Sequence, residues 1–229
     1  MNPTQPATSL WRQILHSFVK PRDAFCSYSH FVGAALSVAA LIMLLKHLPA
    51  GSGPAAVISL VVFAVSMFLL YMTSGLYHLV VASQKVIEVL RRLDHIMIYV
   101  LIAGTGTPLC MLFLSGWWRW GMFAAIWSLA VLGLIFKLVW ISAPRWLSTL
   151  SYILMGWSVV VAFFPLSRTL ALAGMVWLLL GGLFYTVGAV IYATRFPRLK
   201  IPGFGFHEIF HLFVLAGSGS HFWLFFSCI

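Results

Sequence analysis

Residues Pro54–His78, PAAVISLVVFAVSMFLLYMTSGLYH, run for 25 positions without one Asp, Glu, Lys or Arg. A helix that crosses a bilayer needs about 20 mostly apolar residues. The stretch is long enough, and too long for an ordinary buried strand. Six more stretches read the same way: Ser29–His47, Leu93–Leu114, Trp118–Trp140, Trp146–Pro165, Leu170–Ala193 and Phe204–Cys228. The segments between them are short and carry helix breakers, Pro49 with Gly51 and Gly53, Ser115-Gly116, Pro144, and Pro197 with Pro202.

Composition closes off the alternatives. Only 8% of the 229 residues are charged, 62% are hydrophobic, and the mean hydropathy is +1.02. A globule cannot cover itself with polar side chains on that supply, whereas soluble domains are about 25% charged. The reading is an all-α polytopic membrane protein, a single seven-helix unit over residues 29–229 behind a polar leader at 1–28. The first apolar run is too long for a signal-peptide core, so it reads as a retained span. The three cysteines, Cys26, Cys110 and Cys228, are scattered and form no CxxC pair or disulfide framework.

A formal charge of +10 would suggest nucleic acid in a soluble protein. Here the basic residues cluster between apolar runs, where they set topology instead. On the side of the N-terminus lie Arg12, Lys20, Arg22, Lys85, Arg91, Arg92, Lys137, Arg145, Arg195, Arg198 and Lys200; the other side has Lys46, Arg119 and Arg168. Eleven against three predicts a cytoplasmic N-terminus. The chain is expected in the cell membrane, in a bacterium the inner one, with no nucleic-acid partner.

Ionisable groups inside spans are costly and mark function by default. On this topology His78 ends the second span, Asp94 and His95 open the third, and His207, Glu208 and His211 open the seventh, all at the N-terminal side. His207 and His211 are four residues apart, on one helix face and about 6 Å apart along the axis. Ser74 and His78 repeat that spacing on an antiparallel helix. Neutral imidazoles from two helices suit zinc, whose catalytic sites use three protein ligands and keep one position open. His78, His207 and His211 are the candidate ligands, with His95 able to replace one of them. Asp94 is the candidate to hold or deprotonate a water there, and Ser74 to bond that water or a substrate carbonyl. His207–His211 also spells HExxH, the zincin pattern, which makes Glu208 a lesser candidate base. Since Glu208 lies about 100° around the helix from His207, it could instead face the cytoplasmic surface or cap the helix start. His30, His47 and His221 read as hydrogen-bonded core groups, and His16 as a solvated residue of the leader.

Three segments, SGLYH (Ser74–His78), LDHIMIYVLIAGTGTP (Leu93–Pro108) and FHEIFHLFVLAGSGSHF (Phe206–Phe222), resemble the hemolysin III family. That family belongs with the adiponectin and progestin receptors, in a wider group that includes alkaline ceramidases. The resemblance implies a seven-helix bundle with a zinc ion near the cytoplasmic face, bound by residues matching His78, His207 and His211. Asp94 would bond the metal's water, and Ser74 would line the pocket. It also implies hydrolysis of a lipid amide or ester. Two departures stand out. Cys26 replaces an amide in the first-span pattern, here Asp23…Cys26…Ser29-His30…Gly33, and Gly106 stands where a Tyr is common.

The expected function is therefore a zinc-dependent membrane hydrolase acting on a membrane lipid. Alternatives from other classes are a non-catalytic sensor or receptor with structural zinc, the pore-forming cytolysin of the family's name, and an intramembrane zinc protease. A pore needs polar lining throughout, and the polar residues here gather at one end.

Overall fold

The computed structural model describes residues 17–199 and 201–229. Among them seven helical spans are long and apolar enough to cross a membrane. They are α1 (Ala24–His47), α2 (Pro54–Leu79), α3 (Gln84–Phe113), α4 (Gly116–Val139), a broken fifth span (α5, Arg145–Trp157, and α6, Phe163–Thr169), α7 (Leu172–Thr194) and α8 (Phe206–Cys228). The breakers act where expected. Pro54 opens α2 at its first turn, where its missing N–H costs nothing. Gly51 in the preceding loop takes φ +86°, a conformation that L side chains rarely adopt.

The edges differ from hydropathy in two places. α3 begins nine residues before the apolar run, because Gln84, Lys85, Glu88, Arg91 and Arg92 are good helix formers and continue the helix beyond the apolar window. α1 likewise begins at Ala24, inside the expected leader; His16 lies outside the described residues. The fifth span, read as one stretch, is interrupted by a 3₁₀ segment at Ser158–Ala162. By contrast, Gly104–Pro108 stays helical within α3, with the Thr105 and Thr107 hydroxyls donating to the carbonyls of Leu101 and Ala103 at 2.8 Å.

Helices pair in chain order, α1 with α2 and α2 with α3, while α7 packs on α8 and α8 closes the ring against α1. α3 is the most enclosed, with 67% of its apolar window buried, so it forms the axis of the bundle. In lipid, close backbone approach replaces hydrophobic burial as the association force. Gly104 shows this: a Cβ there would stand 2.5 Å from Ser66 Cβ and 3.3 Å from the Val62 carbonyl oxygen. Cross-helix hydrogen bonds add to it, Trp127 Nε1 to Thr107 Oγ1 at 3.1 Å, Trp157 Nε1 to Thr186 Oγ1 at 2.9 Å, and Tyr71 Oη to Ser218 Oγ at 2.6 Å. Between α3, the fifth span, α7 and α8 lies a cavity of ≈ 150 Å³ lined by side chains such as Ile98, Ile102, Leu178 and Val214.

Candidate metal centre

The centre is assembled where the start of α1, the end of α2 and the start of α8 meet. The chain entering α1 clasps the last turn of α2. The backbone N–H of Asp23 donates to the His78 carbonyl at 2.9 Å, and that of Arg22 to Leu79 at 3.2 Å. These bonds satisfy carbonyls that a helix end leaves without partners. The Arg22 guanidinium bonds the Tyr77 carbonyl and lies 4.3 Å from the Tyr77 ring centre. Ser27 Oγ donates to the Gly75 carbonyl at 3.0 Å. Together these contacts hold His78 at a set height against α8.

Three ring nitrogens then converge. His207 Nε2 stands 3.3 Å from His78 Nε2 and 3.3 Å from His211 Nε2. Hydrogen bonding cannot account for both contacts. A neutral imidazole nitrogen carries either a proton or a lone pair, so each nitrogen can donate or accept but not both. His78 Nε2 carries a lone pair because its Nδ1–H goes to Asp23, so a single proton on His207 or His211 Nε2 serves one of the two 3.3 Å contacts and leaves the other without a donor. Tetrahedral zinc with bonds of 2.0–2.1 Å sets its ligand nitrogens about 3.3–3.4 Å apart. The His78–His207 and His207–His211 separations match that spacing, and the donor set suits a divalent metal.

The surroundings orient the rings for that task. Asp23 Oδ2 lies 3.0 Å from His78 Nδ1, so Nδ1–H donates to the carboxylate and Nε2 is left with its lone pair. A carboxylate behind a ligand histidine is the usual outer partner of a metal site. The same hydrogen bond, set against the cost of partial burial, holds the Asp23 carboxyl below its ordinary value. His211 is 2% and His78 3% exposed, so bulk water does not compete for their nitrogens.

One member was not foreseen. Cys26 is fully buried, and its Sγ lies within 4.8 Å of the ligand nitrogens of His78 and His207. These three residues form the compact donor group among the described residues, with His211 joining through His207. Sequence reasoning took Cys26 for a lost amide. The signal was present: Asp23, Cys26 and His30 are spaced i, i+3, i+7, which places them on one helix face.

The other candidates separate. Glu208 Oε2 accepts the Gly205 N–H at 2.7 Å, so it caps the start of α8, while its Oε1 accepts from Cys26 Sγ at 3.4 Å. His95 turns aside: its Nδ1–H donates to the Arg91 carbonyl at 2.8 Å, and the same atom lies 3.8 Å from Asp94 Oδ2. Ser74 is buried one turn deeper than His78 on the same face of α2. Asp94 is mostly buried and acts electrostatically on His207 and Cys26. Among the described residues, no hydrogen bond joins Ser74 or Asp94 to the three rings.

His30 differs from its expected place as a hydrogen-bonded core group. Its ring stacks on His211 with centroids 3.9 Å apart and meets Tyr71 edge-on at 5.0 Å. Neither of its nitrogens has a hydrogen-bond partner among the described residues. It packs against the centre as a flat wall. His47 and His221 lie well away from it, stacked on Phe226 and Tyr185 respectively.

Comparison with known proteins identifies the family. The haemolysin-III related family model matches residues 18–222. The chain belongs to the haemolysin-III related family. Within that family it is 43% identical over 205 residues to Hemolysin-3 of Bacillus cereus, covering 90% of each chain. It is 38% identical over 202 residues to the Hemolysin-3 homolog of Bacillus subtilis (strain 168), covering 88% of this chain and 92% of the other. Weaker likeness reaches the adiponectin receptor protein of Drosophila melanogaster, 39% identical over 75 residues, 31% of this chain and 15% of that one. No solved structure matches. Seven apolar helices and bacterial haemolysin-III relatives make it a multi-pass protein of the cell membrane.

Proposed function

We propose that this haemolysin-III protein is a zinc-dependent hydrolase of a membrane lipid amide or ester, with His78, His207 and His211 as ligands. The observation that carries the reading is the pair of 3.3 Å contacts made by the one nitrogen of His207. Zinc held there would supply a Lewis acid for the acyl carbonyl and an acidified water.

The chain's own residues supply the rest. Asp94, close enough to act on His207, takes and returns the proton. Ser74, one turn from His78, bonds the substrate carbonyl or the attacking water. The acyl chain lies in the apolar cavity, where Leu178, Val214 and Phe210 exclude water. The excess of Lys and Arg at this end supports a centre at the cytoplasmic leaflet with the N-terminus inside.

The adiponectin-receptor likeness supports a second reading, a sensor whose metal is structural. A fourth protein donor beside the rings favours it, because structural zinc sites are closed. A pore is disfavoured by the apolar lining of the cavity.

Elemental analysis of detergent-purified protein, with lipid turnover measured beside it, tests the proposal. About one zinc per chain is expected in the wild type and near zero in His207→Ala, with turnover lost in step. Full turnover in His207→Ala would remove the hydrolase reading.

A further inference from the structure

We infer that Cys26 is a sulfur ligand of the same metal, and that it occupies the fourth position which a catalytic water would need. The inference rests on the metal reading above and concerns this chain's own first helix. Cys26, His78 and His207 bring three donor atoms within 4.8 Å of one another, and His211 Nε2 joins them 3.3 Å from His207 Nε2. A protein side chain that takes the water's position has to be at the same height, buried, and within a small rotation of bonding distance. Cys26 meets each condition. It is fully buried, it sits in the first turn of α1, and its Sγ lies within 4.8 Å of both His78 and His207 nitrogens. With zinc–sulfur bonds near 2.3 Å, the ligand S···N separation falls to about 3.5 Å.

The proton has a defined destination. Cys26 Sγ already points its hydrogen at Glu208 Oε1, 3.4 Å away. On binding, the S–H bond breaks, its electron pair forms the sulfur–metal bond, and the proton passes to the Glu208 carboxylate. Glu208 is kept in place for this by the Gly205 N–H on its other oxygen. Glu208 therefore serves the thiol, not an attacking water. Thiolate is a preferred zinc ligand over a neutral oxygen donor, and a buried cysteine faces no bulk water to compete with it. The resulting centre, with three nitrogens and one sulfur, is closed. Hydrolysis at this metal then requires Cys26 to leave its place.

X-ray absorption at the zinc edge on full-length, detergent-purified wild type is the direct test. One sulfur at about 2.3 Å beside nitrogen scatterers is the expected shell. Cobalt(II) exchange provides a second readout, a thiolate-to-cobalt absorption in the near ultraviolet. Cys26→Ser should abolish that band, while Cys110→Ser and Cys228→Ser retain it. A metal-loaded wild type with only nitrogen and oxygen neighbours overturns this inference and leaves the histidine centre standing. A wild type that takes up neither zinc nor cobalt overturns the metal reading itself, and the inference with it.

Discussion

Asp23, the residue before α1, accepts a hydrogen bond from Nδ1 of His78, the last-turn histidine of α2, at 3.0 Å. The contact joins two segments 55 residues apart and leaves His78 in the tautomer that can ligate. Replacing Asp23 by Asn removes the charge while keeping an acceptor of the same size. Loss of an outer carboxylate typically weakens a metal site about 10- to 100-fold. Chelator competition on wild type and Asp23→Asn should show a fall in zinc affinity of that order. Unchanged affinity would mean that His78 is not a ligand.

The same contact sets a pH dependence. Folding lowers the Asp23 pKa below its ordinary 3.8, through the His78 hydrogen bond first. Its stabilisation is therefore fully present above that value and fades as pH falls through the lower folded one. The difference in melting temperature between wild type and Asp23→Asn should stay level from about pH 8 to about pH 5 and shrink only in stronger acid. Because the side chain is 44% exposed, solvent screening keeps the difference small. A difference that peaks in acid would contradict the sign.

Adjacent glycines in α7 should respond in opposite directions. A Cβ on Gly181 would meet the buried His221 ring at 2.5 Å, whereas one on Gly182 finds nothing nearer than Trp157 at 3.7 Å. Overpacking typically costs about 1–3 kcal/mol, so thermal unfolding of Gly181→Ala should come earlier than wild type. Gly182→Ala should be neutral or gain up to about 1 kcal/mol from helix propensity. Equal behaviour of the two would show that α7 and α8 are not this closely packed.

Gly156 lines the cavity, and a Cβ added there meets no atom within 4 Å. The start of a side chain is thus accommodated, and Gly156→Trp should obstruct the cavity. Mass spectrometry of lipid retained by the purified protein should record a several-fold loss. Retention equal to wild type would place bound lipid elsewhere.

Hydropathy alone was enough to count the spans, because nothing but a membrane helix accommodates a stretch such as Pro54–His78. It could not place the start of α3, since Lys85 and Arg91 are helix formers that hydropathy scores as loop. Spacing and depth brought His78, His207 and His211 together, and these are the rings whose nitrogens meet. Cys26 escaped because a buried thiol reads like any small apolar residue. Asp23 escaped because it lies outside the apolar run, in a segment that only the clasp on α2 brings to the centre. The flat packing of His30 on His211 depends on how α1 leans against α8, which no local pattern encodes.

The five residues Ser158–Ala162 are wound as a 3₁₀ helix between α5 and α6. Such a segment advances about 2.0 Å per residue where an α-helix advances 1.5 Å, so it lengthens the span by about 2.5 Å. Rewinding it would shorten that one column while its neighbours kept their height. That difference is of the order by which bilayers differ in thickness, and Val159 and Val160 of the segment border the chamber whose shape such a rewinding would alter.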